Sequence, residues 1–324
     1  MVKEAVTEGQ RLTAIIPQEM AGMRLDQALA SVFPAYSRAR LQDWIRQGQV
    51  TVNDRRLRPR DKIQGGESVE IIATADERVT WRAESIPLNI IYEDEALFIV
   101  NKPAGLVAHP GAGNHAGTLL NALLSHAPEL TSVPRAGIVH RLDKDTSGLL
   151  VVARTLIAHK SLVEQLQARA LKREYEALVY GVMTAGGEVN APIGRHPVHR
   201  TRMAVVAAGK PAVTHYRVIA RFREHSHIRV QLETGRTHQI RVHMAHIHHP
   251  IIGDPLYGGR LRLPKGCNAE LIDIIRGFKR QALHAAQLGL HHPLTGVWQQ
   301  WEVSLPRDMS ELLAALRADA NKGN

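Results

Sequence analysis

The sequence AGIVHRLDKDTSGLLVVAR gathers polar and charged side chains in a short turn between two apolar segments. The turn contains His140, Arg141, Asp143, Lys144 and Asp145. Rigid elements on both sides of a short loop keep its side chains in reach of a ligand, and functional residues are common in such loops. Both aspartates are candidate catalytic carboxylates on this pattern. An ordinary surface turn with internal ion pairs fits the same residues equally well.

A second polar cluster lies in LETGRTHQIRVHMAHI, a segment that is otherwise suited to burial. If the segment is extended, alternation places Gln239, Arg241 and His243 on one face. A buried guanidinium without a counter-charge is unfavourable by several kcal/mol, so Arg241 needs a carboxylate partner. We expect that partner to be Asp143 in the first cluster.

Five histidines lie close together near the end of this segment, and imidazole is a common ligand of zinc. They do not form an HExxH motif, and their spacing mixes the faces of a strand or a helix. We therefore predict packing and polar contacts for them, and no metal site. The five are His238, His243, His246, His248 and His249.

The segment HPGAGNHAG is rich in glycine, as are the loops that bind dinucleotides. Gly111, Gly113 and Gly117 miss the GxGxxG spacing by one residue, and no acidic residue follows at the distance that ribose binding requires. We expect a loop near the active site, and neither a dinucleotide nor another cofactor.

The composition is that of a globular protein with an excess of positive charge. The net charge is +10 over 324 residues. Such an excess favours a polyanion such as nucleic acid, although an acidic protein partner or solubility alone would also account for it. No apolar run approaches the roughly 20 residues of a membrane span. The single cysteine, Cys267, fits a reducing compartment, so we predict a cytoplasmic protein, and the lack of a long heptad pattern predicts a monomer.

The patterns along the chain predict two domains of the α+β class. The smaller domain has helices over residues 25–33 and 37–47, with Ser37 as a helix cap, and strands around residues 50–52 and 69–72. In the larger domain, strand-like runs alternate with short helices, which predicts a mixed, mainly antiparallel β-sheet flanked by helices. The predicted divisions are an N-terminal extension (1–21), the small domain (22–75), a linker (76–87), the large domain (88–318) and a frayed C-terminus (319–324).

The small domain resembles an S4 RNA-binding domain over nearly its whole length, from RLDQALASVF to GGESVEI. Between Arg38 and Lys62 it carries eight Arg or Lys residues against three Asp. In that family, two helices and a small sheet present basic side chains to structured RNA. The resemblance implies phosphate contacts for Arg38, Arg40, Arg46 and Arg55, and a solvated basic face is the simpler alternative.

The larger domain resembles the RluA/RluD family of pseudouridine synthases, and with the small domain the likeness covers nearly the whole chain. It rests on NKPAGLVAHPGAGN, AGIVHRLDKDTSGL, REYEALV, GKPAVTHYRV, GRTHQIRVHMAHI and HPIIGDPLYGG, which agree in order and spacing. The resemblance implies an isomerase without a cofactor that converts uridine to pseudouridine in a stem-loop of large-subunit ribosomal RNA. It also implies that the basic segment RHPVHRTRM (195–203) lines the approach to the site.

The resemblance assigns roles to single residues. Asp143 would be the essential carboxylate, in preference to Asp145, and Arg241 would pair with it and keep it ionised. Tyr175 would stack on the target base. Arg141 would fill the space that the extruded nucleotide leaves in the RNA.

Further substrate contacts are expected from Arg236 and His238. The proposed residues also have ordinary structural interpretations: Tyr175 as a strand aromatic, Arg141 as a phosphate contact and Arg241 as part of a structural ion pair. For the whole chain, a non-catalytic RNA-binding protein is the second hypothesis. A metal-dependent hydrolase, which only the histidines suggest, is the third.

Overall fold

A computed structural model describes residues 10–34, 36, 38–73, 81–111 and 114–322. The chain divides into two compact units, Met1–Thr80 and Trp81–Asn324. The predictions for Ser37 and for Gly113 lie outside the described residues. None of the described helices is long and apolar enough to cross a membrane.

The first unit combines a three-stranded antiparallel sheet with two helices. Its strands are β1 (Gln10–Ile15), β2 (Val50–Val52) and β3 (Ser68–Ala73), in the order β1-β3-β2. Its helices are α1 (Leu25–Val32) and α2 (Arg38–Arg46). Both predicted helices and both predicted strands are confirmed. The buried side chains between sheet and helices include Ile16, Leu25, Leu29, Leu41, Trp44 and Ile71.

Residues 10–15 are part of this unit, so the predicted N-terminal extension (1–21) is wrong there. They form the edge strand β1, which pairs with β3 from Gln10 opposite Ala73 to Ile15 opposite Ser68. Half-buried and exposed residues alternate along the strand, and Leu12 packs against the core. The partner strand β3 lies at the other end of the small domain's sequence. The sequence of residues 10–15 alone therefore does not show that they form a strand of this sheet.

The second unit contains eleven strands and five α-helices among the described residues. The strands are β4 (Ile90–Glu93), β5 (Leu97–Lys102), β6 (Ser147–Ala153), β7 (Lys172–Tyr180), β8 (Gly187–Asn190), β9 (Ile193–Arg195), β10 (Met203–Val205), β11 (Val213–Arg221), β12 (His225–Leu232), β13 (Leu283–His291) and β14 (Trp298–Glu302). The helices are α3 (Leu119–His126), α4 (Leu156–Gln167), α5 (Gln239–His246), α6 (Ala269–Gly277) and α7 (Arg307–Lys322).

Nine of these strands form one mixed sheet in the order β4-β5-β6-β13-β7-β12-β11-β8, with β14 paired to β13. Among the described strands, β6 and β13 are the parallel pair of this sheet, and its other pairs are antiparallel. This confirms the predicted mixed, mainly antiparallel sheet. Because β6 and β13 run in the same direction, both begin at the same edge, with Ser147 opposite His284. Tyr175 on β7 lies opposite Ala285 on β13, so the three central strands bring the polar turn before β6 close to Tyr175.

Two predicted boundaries of the second unit need correction. The linker (76–87) is shorter at its end, because the Glu84 amide donates to the Asn121 carbonyl and the Asn121 side chain to the Arg82 carbonyl. Residues 76–80 lie outside the described part. The frayed C-terminus (319–324) is wrong for residues 319–322, which continue α7, and Asp319 is buried and bound by Arg223.

Candidate active site

A cleft of about 890 Å³ lies in the second unit between the polar turn before β6, strand β7 and the segment before α5. This volume falls within the range of known ligand sites. Two carboxylates, Asp143 and Glu233, line the cleft together with six arginines, so the cleft is suited to an anionic ligand. The arginines are Arg135, Arg141, Arg169, Arg173, Arg236 and Arg241.

The two aspartates of the polar turn have different positions. Asp143 lines the cleft, and its side chain is 18% exposed. Asp145 is not among the described residues that line the cleft. The geometry therefore favours Asp143 as the carboxylate that a ligand would meet.

Side chains at the end of β5 and directly before β13 hold this turn from both sides. Lys102, fully buried at the end of β5, donates hydrogen bonds of 2.8–2.9 Å to three backbone carbonyls, that of Lys144 among them. On the side of β13, Gln281 donates to the Thr146 hydroxyl at 3.1 Å, and Arg280 donates to a carbonyl of the turn at 3.2 Å. The turn is thus fixed to the sheet although it has no regular structure itself.

Within the segment GRTHQIRVHMAHI, residues Gln239–His246 form helix α5, so the extended conformation considered for Gln239, Arg241 and His243 is wrong. Gln239 and His243 lie one turn apart, and both bond to Thr214 on β11, at 3.0 and 2.8 Å. Every residue from Gln239 to Met244 is buried. The contrast between polar and apolar faces that normally identifies a helix is therefore missing from this stretch.

Arg241, on α5, binds two carboxylates. Its Nε and Nη2 donate to Asp254 at 2.7 and 2.9 Å, and its Nη1 donates to Asp143 Oδ2 at 2.9 Å. Burial opposes a charge here, but the hydrogen bonds and charge of Asp254, with the charge of Asp143, raise the pKa of Arg241 above its ordinary value. The predicted pairing of Asp143 with Arg241 is confirmed.

Asp254 is a residue that the sequence reasoning missed. It is buried, and its Oδ1 also accepts hydrogen bonds from the backbone amides of Leu256 and Tyr257 at 2.9 and 3.0 Å. A signal for it exists in HPIIGDPLYGG, where one aspartate follows an apolar run and starts a turn, a position that suits a carboxylate bound to backbone amides.

His238 lies directly before α5 with a left-handed backbone, φ 56°, which is unfavourable for residues other than glycine and is often found at functional sites. Its Nδ1 lies 2.8 Å from the Tyr257 hydroxyl, which also accepts from the Met203 amide at 2.9 Å. Its Nε2 lies 3.9 Å from Asp143 Oδ1. Burial lowers the pKa of His238 although the charge of Asp143 opposes this, which favours the uncharged ring.

The other residues predicted for the site surround the same cleft. Tyr175 on β7 is buried and lines it, and burial is the main cause that raises the pKa of its hydroxyl. Arg141 is exposed, two residues before Asp143. Arg236 is half-buried, and its Nε donates to the Pro211 carbonyl at 3.1 Å.

The basic segment 195–203 is placed differently from the expectation. It spans the turn between β9 and β10, and in the described part of the chain none of its residues lines the cleft. Its connection to the site is indirect, through the hydrogen bond from the Met203 amide to Tyr257.

Three of the five clustered histidines, His238, His243 and His249, bind other groups of the protein. His243 bonds to Thr214 and to the Ala191 carbonyl, and His249 bonds to the Tyr180 carbonyl at 2.8 Å. Among residues 10–34, 36, 38–73, 81–111 and 114–322, no group of three or more His, Cys, Asp or Glu side chains could hold a metal ion.

In the first unit, three of the four arginines predicted to bind RNA have partners within the unit. Arg38 donates to the buried Asp26 at 2.8 and 3.1 Å. Arg46 pairs with an aspartate of its own helix, and Arg40 lies 4.8 Å from a tryptophan ring. Arg55 is exposed.

Comparisons with known proteins agree with this geometry. The family described as RNA pseudouridylate synthase matches residues 96–246, and the S4 domain family matches residues 23–69. The "Ribosomal large subunit pseudouridine synthase D" of Yersinia pestis is 56% identical over 313 residues, 96% of this chain and 96% of the relative. The protein of the same name from Pseudomonas aeruginosa is 57% identical over 306 residues, 94% of this chain and 96% of the relative.

A solved structure supports the fold. "Human RNA Pseudouridylate Synthase Domain Containing 4" covers 71% of this chain and 93% of its own, with 26% identity and a TM-score of 0.56. These matches confirm the resemblance that the motifs indicated. The chain, which carries an S4 domain in its first unit, therefore belongs to the RNA pseudouridylate synthase family.

Proposed function

We propose that this enzyme converts uridine to pseudouridine in a stem-loop of large-subunit ribosomal RNA. The observation that carries the choice of RNA is the likeness to relatives named "Ribosomal large subunit pseudouridine synthase D", which extends over about 95% of both chains. A cleft rich in arginine supports an RNA ligand. Loop bases are the expected targets, because an unpaired base is the easiest to extrude.

Asp143 is the essential carboxylate in this proposal. Support comes from its place in the cleft and from Arg241, which holds Oδ2 and leaves Oδ1 directed toward the space in front of His238. The isomerisation breaks the N1–C1′ bond of uridine and forms a C5–C1′ bond, without hydrolysis or a change of oxidation state. It requires a positioned carboxylate and a pocket that retains the free base, and the proposal includes no cofactor.

The remaining residues of the cleft bind and enclose the nucleotide. The flat ring of Tyr175 stacks on the base, and Arg141 at the exposed rim occupies the gap that the extruded nucleotide leaves. Arg236 and His238 contact the substrate from the loop before α5. An uncharged His238 ring supplies hydrogen bonds without adding charge beside Asp143.

The S4 domain binds a neighbouring part of the RNA. Arg55 contacts phosphates directly, and Arg38, Arg40 and Arg46 add positive charge from the helical face. The enzyme acts as a monomer in the cytoplasm, on free ribosomal RNA or on its assembling precursor.

The test is to map pseudouridines in total RNA from cells with and without the gene. We expect one or more uridines of large-subunit ribosomal RNA to lose their modification in the deletion strain. The wild-type gene should restore them, and the gene carrying Asp143→Asn should not. If no large-subunit position changes, the proposed substrate is wrong.

A further inference from the structure

Arg173 is a buried guanidinium of the cleft to which the mechanism above gives no role. It lies on β7 two residues before Tyr175, so the two side chains point to the same face of the sheet. The residue is 7% exposed and lines the cleft together with Asp143. It therefore lies beside the ring that is proposed to stack on the target base.

Arg173 lacks a counter-charge within the described residues. Its guanidinium makes no ion pair or hydrogen bond there, and its Nε is buried without a partner. Other arginines of the cleft are paired: Arg241 binds two carboxylates, and Arg169 binds Glu233 at 2.7 Å. A charge removed from water without a partner is unfavourable by several kcal/mol, so a guanidinium held in this way indicates an electron-rich partner that binds from outside the chain.

The surroundings leave room for this guanidinium and do not neutralise it. A Cβ at position 235 would lie 3.0 Å from Arg173 Nη1, so the glycine there gives the side chain its space. Burial, and then the charge of Arg173, lower the pKa of His140 to about 3, and the uncharged His140 Nε2 accepts a hydrogen bond from the Val151 amide. The Tyr175 hydroxyl is affected by the charges of both Arg173 and Asp143, so the guanidinium lies near the two groups proposed to meet the substrate.

We propose that Arg173 contacts the uracil ring of the bound uridine and stabilises the negative charge on its carbonyl oxygens during the isomerisation. The inference rests on the proposed function. The buried position beside Tyr175 favours the base over the RNA phosphates as the partner, because an extruded nucleotide enters such a pocket with its base first.

This charge arises by each route open to Asp143. When the N1–C1′ bond breaks, its electron pair stays with uracil and spreads over N1, O2 and O4. If the carboxylate adds to C6 instead, an electron pair moves toward O4, and the new C6–O bond breaks again, with its electron pair returning to the carboxylate, when C5 loses its proton and the C5=C6 bond is restored. The C5–C1′ bond then forms, C5 loses its proton and N1 gains one, so the base ends neutral and Arg173 is unchanged. A fixed cation near these oxygens stabilises the transition state more than the neutral substrate.

The test compares Arg173→Met and Arg173→Lys with the wild-type protein, in single-turnover conversion of a ribosomal RNA stem-loop that the wild-type protein modifies. We expect Arg173→Met to lower the rate about 100- to 1,000-fold. RNA affinity should change by less than about three-fold, because the interaction belongs to the transition state. Arg173→Lys keeps the charge without the forked geometry, so its loss should be smaller. Arg307→Met, at an exposed position of α7, is the charge-matched control and should keep the wild-type rate.

Thermal unfolding separates this role from a structural one. Because Arg173→Met removes an unpaired buried charge, its melting temperature should equal or exceed that of the wild-type protein. A rate within about three-fold of wild type would overturn the inference. A clear drop in melting temperature together with the loss of rate would also overturn it, since Arg173 would then support the fold.

A substrate variant separates the base from the phosphates. Neutral methylphosphonates replace the two phosphates that flank the target uridine, and each RNA is tested with the wild-type protein and with Arg173→Met. Equal effects on both proteins support the contact with the base. If the methylphosphonates slow conversion by the wild-type protein but not by Arg173→Met, Arg173 binds a phosphate and the inference is wrong. A wild-type protein that converts no ribosomal RNA would refute the proposed function instead.

Discussion

At the scale of single residues, the site depends on one guanidinium shared by two carboxylates in different environments. Asp254 is fully buried and binds Arg241 through two parallel hydrogen bonds, a geometry that fixes the plane of the guanidinium. The remaining nitrogen then reaches Asp143, which is open to the cleft. Asp254 is thus a positioning residue, which acts on Asp143 only through Arg241.

We expect Asp254→Asn to lower the free energy of unfolding by about 3 kcal/mol, because the buried Arg241 loses its main counter-charge. The conversion rate should fall as well, because Arg241 without Asp254 can turn away from Asp143. Chemical denaturation and single-turnover kinetics measure the two effects.

Asp308→Asn is the matched control for stability. Asp308 also binds an arginine through two oxygens, but its side chain is 46% exposed, so water screens this pair more than the fully buried Asp254 pair and the loss of stability should be smaller. Equal losses of stability in the two variants would contradict the role given to Asp254.

At the scale of elements, the turn that carries Asp143 is held by a lysine from a different strand. Lys102 donates to three carbonyls and is fully buried, and burial lowers its pKa to about 8, so it remains mostly charged at pH 7. One of these acceptors, the Lys144 carbonyl, belongs to the turn, and the other two, the Pro103 and Leu106 carbonyls, follow β5. The shape of the turn is therefore fixed by β5 as much as by its own sequence.

Lys102→Met should remove these bonds and lower the free energy of unfolding by about 2–4 kcal/mol, because buried carbonyls lose their donor. The conversion rate should decrease too, since Asp143 is carried by the loosened turn. Lys144→Met is the control in the same turn. Lys102 binds the backbone carbonyl of Lys144, which this change keeps, and the Lys144 side chain is exposed. A Lys102 variant as stable as the Lys144 variant would contradict this account.

The elements also explain how far the sequence could be interpreted. The strand-like runs GLLVVAR, REYEALVYG, HYRVIARF and IRVQLE correspond to β6, β7, β11 and β12, because a buried or half-buried strand leaves its pattern in a short window. Strand β13, which lies between β6 and β7, is not among the predicted runs. Helix α5 is not predicted, since it is buried on all sides and Gln239, Arg241 and His243 fit an extended face equally well. The pairing of Asp143 with Arg241 could be predicted, because a buried guanidinium needs a carboxylate as its counter-charge. The ion pair between Asp254 and Arg241 could not be predicted from the sequence, because tertiary packing decides whether Asp254 faces solvent or Arg241.

At the scale of the whole molecule, each of the two units has its own core. The division into two domains follows from the sequence, but the boundaries do not. Strand β1 depends on β3 far along the chain, and residues 81–87 have no periodicity although they are bound to α3 through hydrogen bonds with Asn121.

The stability of the second unit should decrease as the pH falls from about 7 to about 5. Burial lowers the pKa of His140 to about 3 and those of His225 and His284 to about 4. In the unfolded chain these rings bind protons below about pH 6.5, so the unfolded chain takes up more protons than the folded one in this range. Melting temperatures measured at several pH values test the prediction.

His225→Phe provides the control for that measurement. Within the described part of the chain, neither ring nitrogen of His225 has a hydrogen-bond partner, and the ring packs against Tyr180, so an apolar ring fits the same place. The variant should lose part of the pH dependence and keep the melting temperature at pH 7. An unchanged pH dependence would show that burial of His225 does not cause it.

The most direct test of the whole account is the single-turnover conversion of a large-subunit ribosomal RNA stem-loop by Asp143→Asn and by Asp145→Asn. Both changes keep the shape of the side chain and remove one carboxylate from the same turn. We predict a folded Asp143→Asn protein that forms no pseudouridine above background, and an Asp145→Asn protein that retains most of its activity. Conversion by Asp143→Asn within about ten-fold of the wild-type rate would contradict the account.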